Sequence, residues 1–234
     1  MMKRCWRCLS IPCRIKNQCY HVMFEGRDIL YSSETKFLGI YINEKMKWNS
    51  HIKYLSSKLN TSYCMISFLK NIMSPYVLRT IYFACFHAHW RYGLTLWGGD
   101  LESIRIFRLQ KKVTRLIGKA GQRASCRNLF KDLNIFPLPC LYASEVVCCV
   151  KSNMEKMKYN EEVHDHCTHQ KSDLHIQLCR TTVFKNSSAS VGIKLYNKSL
   201  NAIKRLPKTQ EFKRRLKYFL LQHIFYSVDA YMSS

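Results

Sequence analysis

LESIRIFRLQKKVTRLIG, residues 101–118, carries two periodic faces in one run. Ile106, Leu109, Val113 and Leu116 recur at steps of 3, 4 and 3, the spacing that places side chains on one face of an α-helix. Arg105, Arg108, Lys112, Arg115 and Lys119 follow steps of 3, 4, 3 and 4. They share a second face, over roughly 21 Å of helix rise. Asp100 stands where it can cap the start, and Gly118 where it can stop the end. The first stripe is expected in a core. The second, expected to contain no acid, matches successive phosphates of a nucleic-acid backbone. The competing expectation is an ordinary solvated face.

Working outward toward the N-terminus, Ser74-Pro75 opens PYVLRTIYFACFHAHWRYGLTLW (75–97), which Gly98-Gly99 ends. It is apolar almost all round and is expected as the buried central helix. His87 and His89 on it are expected as core histidines with satisfied hydrogen bonds. Before it, Ile52, Leu55, Leu59, Tyr63, Ile66 and Leu69 mark an amphipathic helix capped by Asn49 or Ser50, with Trp48 packing back as a staple. Earlier still, alternation predicts strands over 20–24, 28–31 and 36–42, with turns at Gly26 and Asn43-Glu44-Lys45. Residues 1–19 are a basic, Cys-rich head without period. Toward the C-terminus, SCRNLFKDLNIFPLP (125–139) predicts a short helix and a turn. Helices are expected over 138–155, 191–205 and 209–224. The polar stretch 156–190 reads as a connector with one short strand near 181–184. The fold class is mainly α with a small N-terminal β-hairpin element.

Composition narrows the partner. The 234 residues hold 38 Lys and Arg against 15 Asp and Glu, a formal charge of +23. Such an excess repels itself unless a polyanion is near. Apolar residues make up 47%, enough for a core. A second cationic cluster, Lys204, Arg205, Lys208, Lys213, Arg214, Arg215 and Lys217, faces one acid, Glu211, and rides on the apolar face Phe212, Leu216, Phe219 and Leu220. The basic start MMKRCWRCLSIPCRIK leads into no continuous apolar stretch, and LYASEVVCCV (141–150) is short and carries Glu145. The expectation is therefore no secretory signal, no membrane span, reduced thiols and an intracellular protein, nuclear or cytoplasmic.

Enzyme motifs are missing. There is no Gly-rich phosphate loop, no G-x-S-x-G and no H-E-x-x-H. The six aspartates, at 28, 100, 132, 165, 173 and 229, include no adjacent pair. Two weak zinc candidates exist. One is Cys5, Cys8, Cys13 and Cys19 with His21; the other is His164, His166, Cys167 and His169 with His175 beyond. No catalytic residue and no cofactor is assigned to this chain.

Six segments together resemble the part of a non-LTR (LINE, Jockey-like) retrotransposon reverse transcriptase that follows its catalytic aspartates. KFLGIYINEKMKWNSHI (36–52) is similar to the family's K-F/Y-L-G-x-x-I/L-D/N-x-x-L/M-x-W-x-x-H-I/V. LRTIYFACFHAHWRYGLTLWGG (78–99) is similar to its helix ending YG-x-x-x-WG. IRIFRLQKKVTRLIGKA is similar to QK-K/R-x-I/L/V-R-x-I, and CRNLFKDLNIFPLPCLY to C-R/K-x-LF-x-x-L-x-I-L. GIKLYNKSLNAIK and FKRRLKYFLLQHIFYSVDAYM complete the order, from about 20 to 232. Two departures stand out: His169 replaces the family's Arg in H-x-x-TR, and NKSL lacks the Pro of N-x-LP.

The resemblance implies a helical thumb-like bundle. It implies a primer-grip-like β element over 20–48, a thumb-like domain over 49–122, an extension over 123–155, the connector over 156–190 and basic C-terminal helices over 191–234. It implies that Gly39 lets a strand pass close to the primer backbone, with Lys36, Lys45 and Lys47 favouring phosphates; otherwise Gly39 only relieves packing of the hairpin on the first helix. Lys213, Arg214 and Lys217 join Arg105, Arg108, Lys112, Arg115 and Lys119 as candidate contacts to RNA and DNA, a primer–template duplex, without base specificity. The family's F/Y-x-D-D would precede residue 20, so Mg²⁺ is implied only for a palm outside this chain. That palm, or a full-length element polymerase, is a candidate partner. The alternatives are a domesticated or decayed fragment acting as a helical interaction protein or without function, and a zinc-dependent nucleic-acid-binding module.

Overall fold

Between Glu34 and Asn43 the chain doubles back on itself. The computed structural model describes residues 22–29, 32–163, 171–199, 201–204, 206 and 209–233, with backbone only at 22, 24, 28, 29, 201 and 202. Strands β1 (Val22–Phe24) and β2 (Arg27–Ile29) pair antiparallel, with Val22 opposite Ile29. Strands β3 (Glu34–Phe37) and β4 (Ile40–Asn43) form a second, separate hairpin with Phe37 opposite Ile40. The single strand expected over 36–42 is thus two strands. Leu38 (φ 46°) and Gly39 (φ 81°) both take positive φ, as a two-residue hairpin turn matched to strand twist requires. Glu25 and Gly26 repeat the device. Gly39 is a turn residue between two strands rather than a glycine within one.

Contacts divide the chain at His51 into two units. Within the first, Ile40 is buried, the Ser50 hydroxyl donates to the Glu34 carboxylate, and the Lys47 N–H donates to Asn43 Oδ1 at 2.7 Å. The Trp48 ring meets His51 edge-on at 6.4 Å.

The second unit is helical. Helix α1 (Asn49–Leu69) runs into it and buries Ile52, Leu55, Leu59 and Ile66, while Tyr63 and Leu69 are half-buried. Ser74 caps α2 (Pro75–Ile81), its hydroxyl accepting the Val77 N–H at 3.4 Å, with Pro75 at the first position. A π-helical segment, Tyr82–His87, follows, then α3 (Ala88–Arg91), a left-handed Gly93 and α4 (Leu94–Trp97).

The sequence predicted one helix here, buried all round. The structure buries one face, Leu78, Tyr82, Phe86, Trp90 and Leu94, and exposes Tyr76, His89 and Tyr92. The reason lies in the spacing. Those buried residues step by four. In a regular helix of 3.6 residues per turn each such step over-rotates by about 40°, and the wider π turn takes up that drift.

Asp100 accepts the Glu102 N–H at 2.8 Å and starts a short 3₁₀ turn, Leu101–Ser103, that leads into α5 (Ile104–Ile117). Helices α6 (Arg127–Asp132) and α7 (Leu138–Ser152) follow. The central helix is α7, with Leu138, Leu141, Tyr142, Val146, Val147 and Val150 among its buried residues. Beyond α8 (Asn160–Val163), the strand expected near 181–184 is instead the helix α9 (Thr182–Lys185). Helices α10 (Ser188–Lys198), α11 (Asn201–Lys204), α12 (Thr209–His223) and α13 (Val228–Met232) complete the unit. Leu195, Tyr196, Phe212, Leu216 and Leu220 join Ala143, Val147 and Val150 of α7 in one core. Helix α10 comes so close that a Cβ on Gly192 would meet Val146 Cγ1 at 2.6 Å. Among the described residues no helix is long and apolar enough to cross a membrane.

Candidate nucleic-acid interface

The phase of α5 decides which cations face water. The buried set is Ile106, Phe107, Gln110, Val113, Thr114 and Ile117. Leu109 and Leu116, expected in the core, are half-buried. The stripe is turned by about one residue, because Gln110 sits at its centre fully satisfied. Its Nε2 donates to Tyr82 Oη at 2.9 Å and to the Phe136 carbonyl at 2.7 Å; its Oε1 accepts the Leu138 N–H at 2.9 Å. One amide ties α5 to the π segment and to the first turn of α7. A buried polar group with every partner in place is tolerated, whereas one left unpaired costs about 1–3 kcal/mol.

With that phase, Arg105, Arg108 and Lys112 are exposed, Arg115 is half-buried and Lys119 is exposed. The face is not free of acid. Glu102, three residues before Arg105, pairs with it at 2.6 Å, because an i,i+3 neighbour shares the same face. Arg108 and Lys112 meet no acidic side chain among the described residues.

The end of α5 also departs from expectation. Gly118 has φ −78° and is not the left-handed stop; Lys119, at φ 50°, is. The Ala120 N–H reaches the Arg115 carbonyl at 3.0 Å and the Lys119 N–H reaches Leu116 at 3.3 Å, the paired closure of a Schellman motif. Gly118 is needed for space, since a Cβ there would meet Leu129 Cδ2 at 2.6 Å. The closure brings Arg115 and Lys119 to an open recess of about 370 Å³, lined also by Lys70, Asn71, Leu116 and Ala120. Arg115 Nε donates to the Ala124 carbonyl at 2.8 Å, which holds the guanidinium in place.

Lys70 and Asn71 escaped the sequence reading. They lie one and two residues past the end of α1, and no periodic pattern joins them to α5. Lys111 and Arg127 were missed for another reason. The Lys111 ammonium lies 4.9 Å from the Phe107 ring centre and 5.4 Å from that of Tyr226, and the Arg127 guanidinium lies 5.2 Å from Tyr226. These two cations rest on aromatic faces.

The second cluster is divided. Lys213 and Arg214 are exposed on α12 and Lys217 is half-buried. Lys204 is a structural cation, bound to Asp173 at 3.3 Å and to the Asn197 carbonyl at 2.5 Å. Arg205 and Lys208 lie outside the described residues. In the first unit Lys36 places its ammonium 5.6 Å from the Tyr41 ring centre, Lys45 sits 3.7 Å from Glu44, and Lys47 is exposed.

The histidine expectation divides as well. His89 is exposed. His87 is buried, with Trp90 edge-on at 4.6 Å and Phe83 at 5.1 Å, and its Nδ1 has no hydrogen-bond partner among the described residues. Burial, with Arg91 and Lys217 nearby, pushes its pKa down to about 4. The neutral ring is a packing element. Burial likewise pushes the Cys140 thiol up to about 12; its sulfur accepts the Phe225 N–H at 3.3 Å.

Every described cysteine is a free thiol. Both zinc candidates, Cys5, Cys8, Cys13, Cys19 and His21, and His164, His166, Cys167 and His169, lie outside the described residues; only His175 is described. Among the described residues no three His, Cys, Asp or Glu converge as a metal cage. Asp100 caps a 3₁₀ turn and Asp173 pairs with Lys204.

The chain is distantly similar to a transposon-encoded polymerase. The chain is 27% identical over 119 residues to the Drosophila melanogaster protein described as probable RNA-directed DNA polymerase from transposon BS. The match takes in 49% of this chain and 13% of that relative. No family model matches the chain, and no solved structure matches it.

Proposed function

We propose that this chain is the thumb-bearing, C-terminal portion of a non-LTR, Jockey-like reverse transcriptase, and that it holds a primer–template duplex or element RNA by its phosphates. The observation that carries this reading is the outward line on α5. Arg108 and Lys112 face solvent without an opposing acid among the described residues, and Arg115 and Lys119 continue the line around a basic recess. Cations spaced along one face gain by releasing the counterions condensed on a nucleic-acid backbone, and that gain is indifferent to sequence. The six ordered resemblances and the distant polymerase relative support the same reading.

The chain holds without polymerising. Two-metal phosphoryl transfer needs clustered carboxylates, and none of the six aspartates in the sequence adjoins another. Any such site belongs to a palm that this unit would dock beside.

Fluorescence anisotropy with a primed RNA template tests the reading. Affinity should fall steeply from about 50 to 200 mM salt; affinity indifferent to salt would overturn phosphate contact and favour a helical protein-interaction fragment. With Mg²⁺ and deoxynucleotides, the purified chain should leave the primer unextended. Extension would overturn the second half of the proposal.

A further inference from the structure

The corner between α1 and α2 holds large apolar side chains out in solvent. Phe68 is 75% exposed, Ile72 66% and Tyr76 77%. The corner is built, not frayed. The Ile72 and Met73 N–H groups both donate to the Leu69 carbonyl, at 3.0 and 2.9 Å, and Ser74 caps the next helix. The same turn supplies Lys70 and Asn71 to the recess that Arg115 and Lys119 complete. From Lys45 to Gly99 the sequence contains no acidic residue.

A partner for this surface must therefore offer both negative charge and flat apolar faces. Nucleobases on a phosphate backbone do so. A paired duplex buries those faces in its own stack, and only unpaired bases present them.

We propose that the α1–α2 corner is a stacking platform for a single-stranded stretch of nucleic acid. Unpaired bases lie on Phe68 and Tyr76, and an adjoining phosphate enters the recess among Lys70, Arg115 and Lys119. This rests on the reading of the chain as a nucleic-acid binder and adds a preference to it. The α5 line grips backbone of any kind, whereas the corner selects unpaired strand.

The test compares three probes of equal length on the full chain: a mixed-sequence single strand, a blunt duplex of that sequence, and an abasic strand. Phe68→Ala with Tyr76→Ala should weaken the single strand about thirtyfold or more and leave the duplex and the abasic strand unchanged. Phe68→Tyr with Tyr76→Phe keeps both rings and should bind like the parent. Far-UV circular dichroism should be unaltered, because both side chains are exposed.

An alanine pair that binds the single strand as the parent does, while duplex binding stays salt-dependent, overturns the platform alone. Equal losses on all three probes overturn it too, as does a change in sedimentation with single-strand affinity intact, which would make the corner a protein contact. A parent that binds none of the probes overturns this proposal together with the phosphate grip.

Discussion

Helices α5 and α12 are both amphipathic and basic, and both pack on α7, yet they present charge differently. On α5 the cations step by three and four and form a line. On α12, Lys213, Arg214 and Arg215 are consecutive and fan over about 200° at about 100° per residue. A line can meet successive phosphates of one strand; a fan meets one at a time. The phase of α5 is also fixed by a polar hub, whereas α12 is held by Phe212, Leu216 and Leu220. Charge count alone would rank the two helices together. Arrangement separates them.

The largest effect should come from releasing the phase lock. Gln110→Leu preserves volume but strands the Leu138 N–H and the Phe136 carbonyl in the interior. It should cost about 3 kcal/mol in urea unfolding; a loss under about 1 kcal/mol would mean the hub does not set the orientation of α5. Next comes the line against the fan. Changing Arg108, Lys112 and Arg115 together to Gln should weaken duplex binding on the order of 100-fold near physiological salt and flatten the salt slope by nearly three. The same change at Lys213, Arg214 and Arg215 should cost only about fivefold, as one contact would. Equal losses would erase the distinction.

A smaller effect concerns Lys217, an α12 cation whose charge acts on His87, whereas no α5 cation is among the charges that lower that ring's pKa. The unfolded histidine titrates near 6.5 and the folded one near 4. Between those values the unfolded chain carries the extra proton, so stability is complete above 6.5 and drains away as pH falls toward 4. The loss should be about 2 kcal/mol in denaturation curves taken across that window, and His87→Phe should remove it. The smallest effect separates grip from stability within α5 itself. Lys119→Gly relieves a side chain from left-handed backbone and should stabilise by about 0.5–1 kcal/mol, while reducing the salt slope of binding by about one.

Much of the helical framework was legible in the sequence. The α1, α5, α7 and α12 runs, the Ser74 and Asp100 caps and Pro75 at the start of α2 all follow from period and capping chemistry. What escaped had physical reasons. Leu109 looked like core and Gln110 went unremarked, because hydrophobicity cannot foresee that three partners will converge on one amide. The hairpin turn was hidden because Leu38 stands where Asn or Asp usually announces positive φ. The four-residue step from Leu78 to Leu94 was present in plain view, and only a helix wider than the standard one makes sense of it. Of the candidate site, the cationic line was readable from spacing. The recess was not, because Lys70 meets α5 through tertiary structure alone.

That wide turn between Tyr82 and His87 makes this stretch of the molecule a splice in a rope. Excising one residue there, such as Ala84, would let the coil close to its regular pitch, and five residues at about 100° turn the chain about as far as the six of the wide form. Trp90 and Trp97, both sealed inside, would keep their bearing. A single codon lost at this point should do less harm than one lost from the regular turns on either side, where everything beyond would wind back by about 100°.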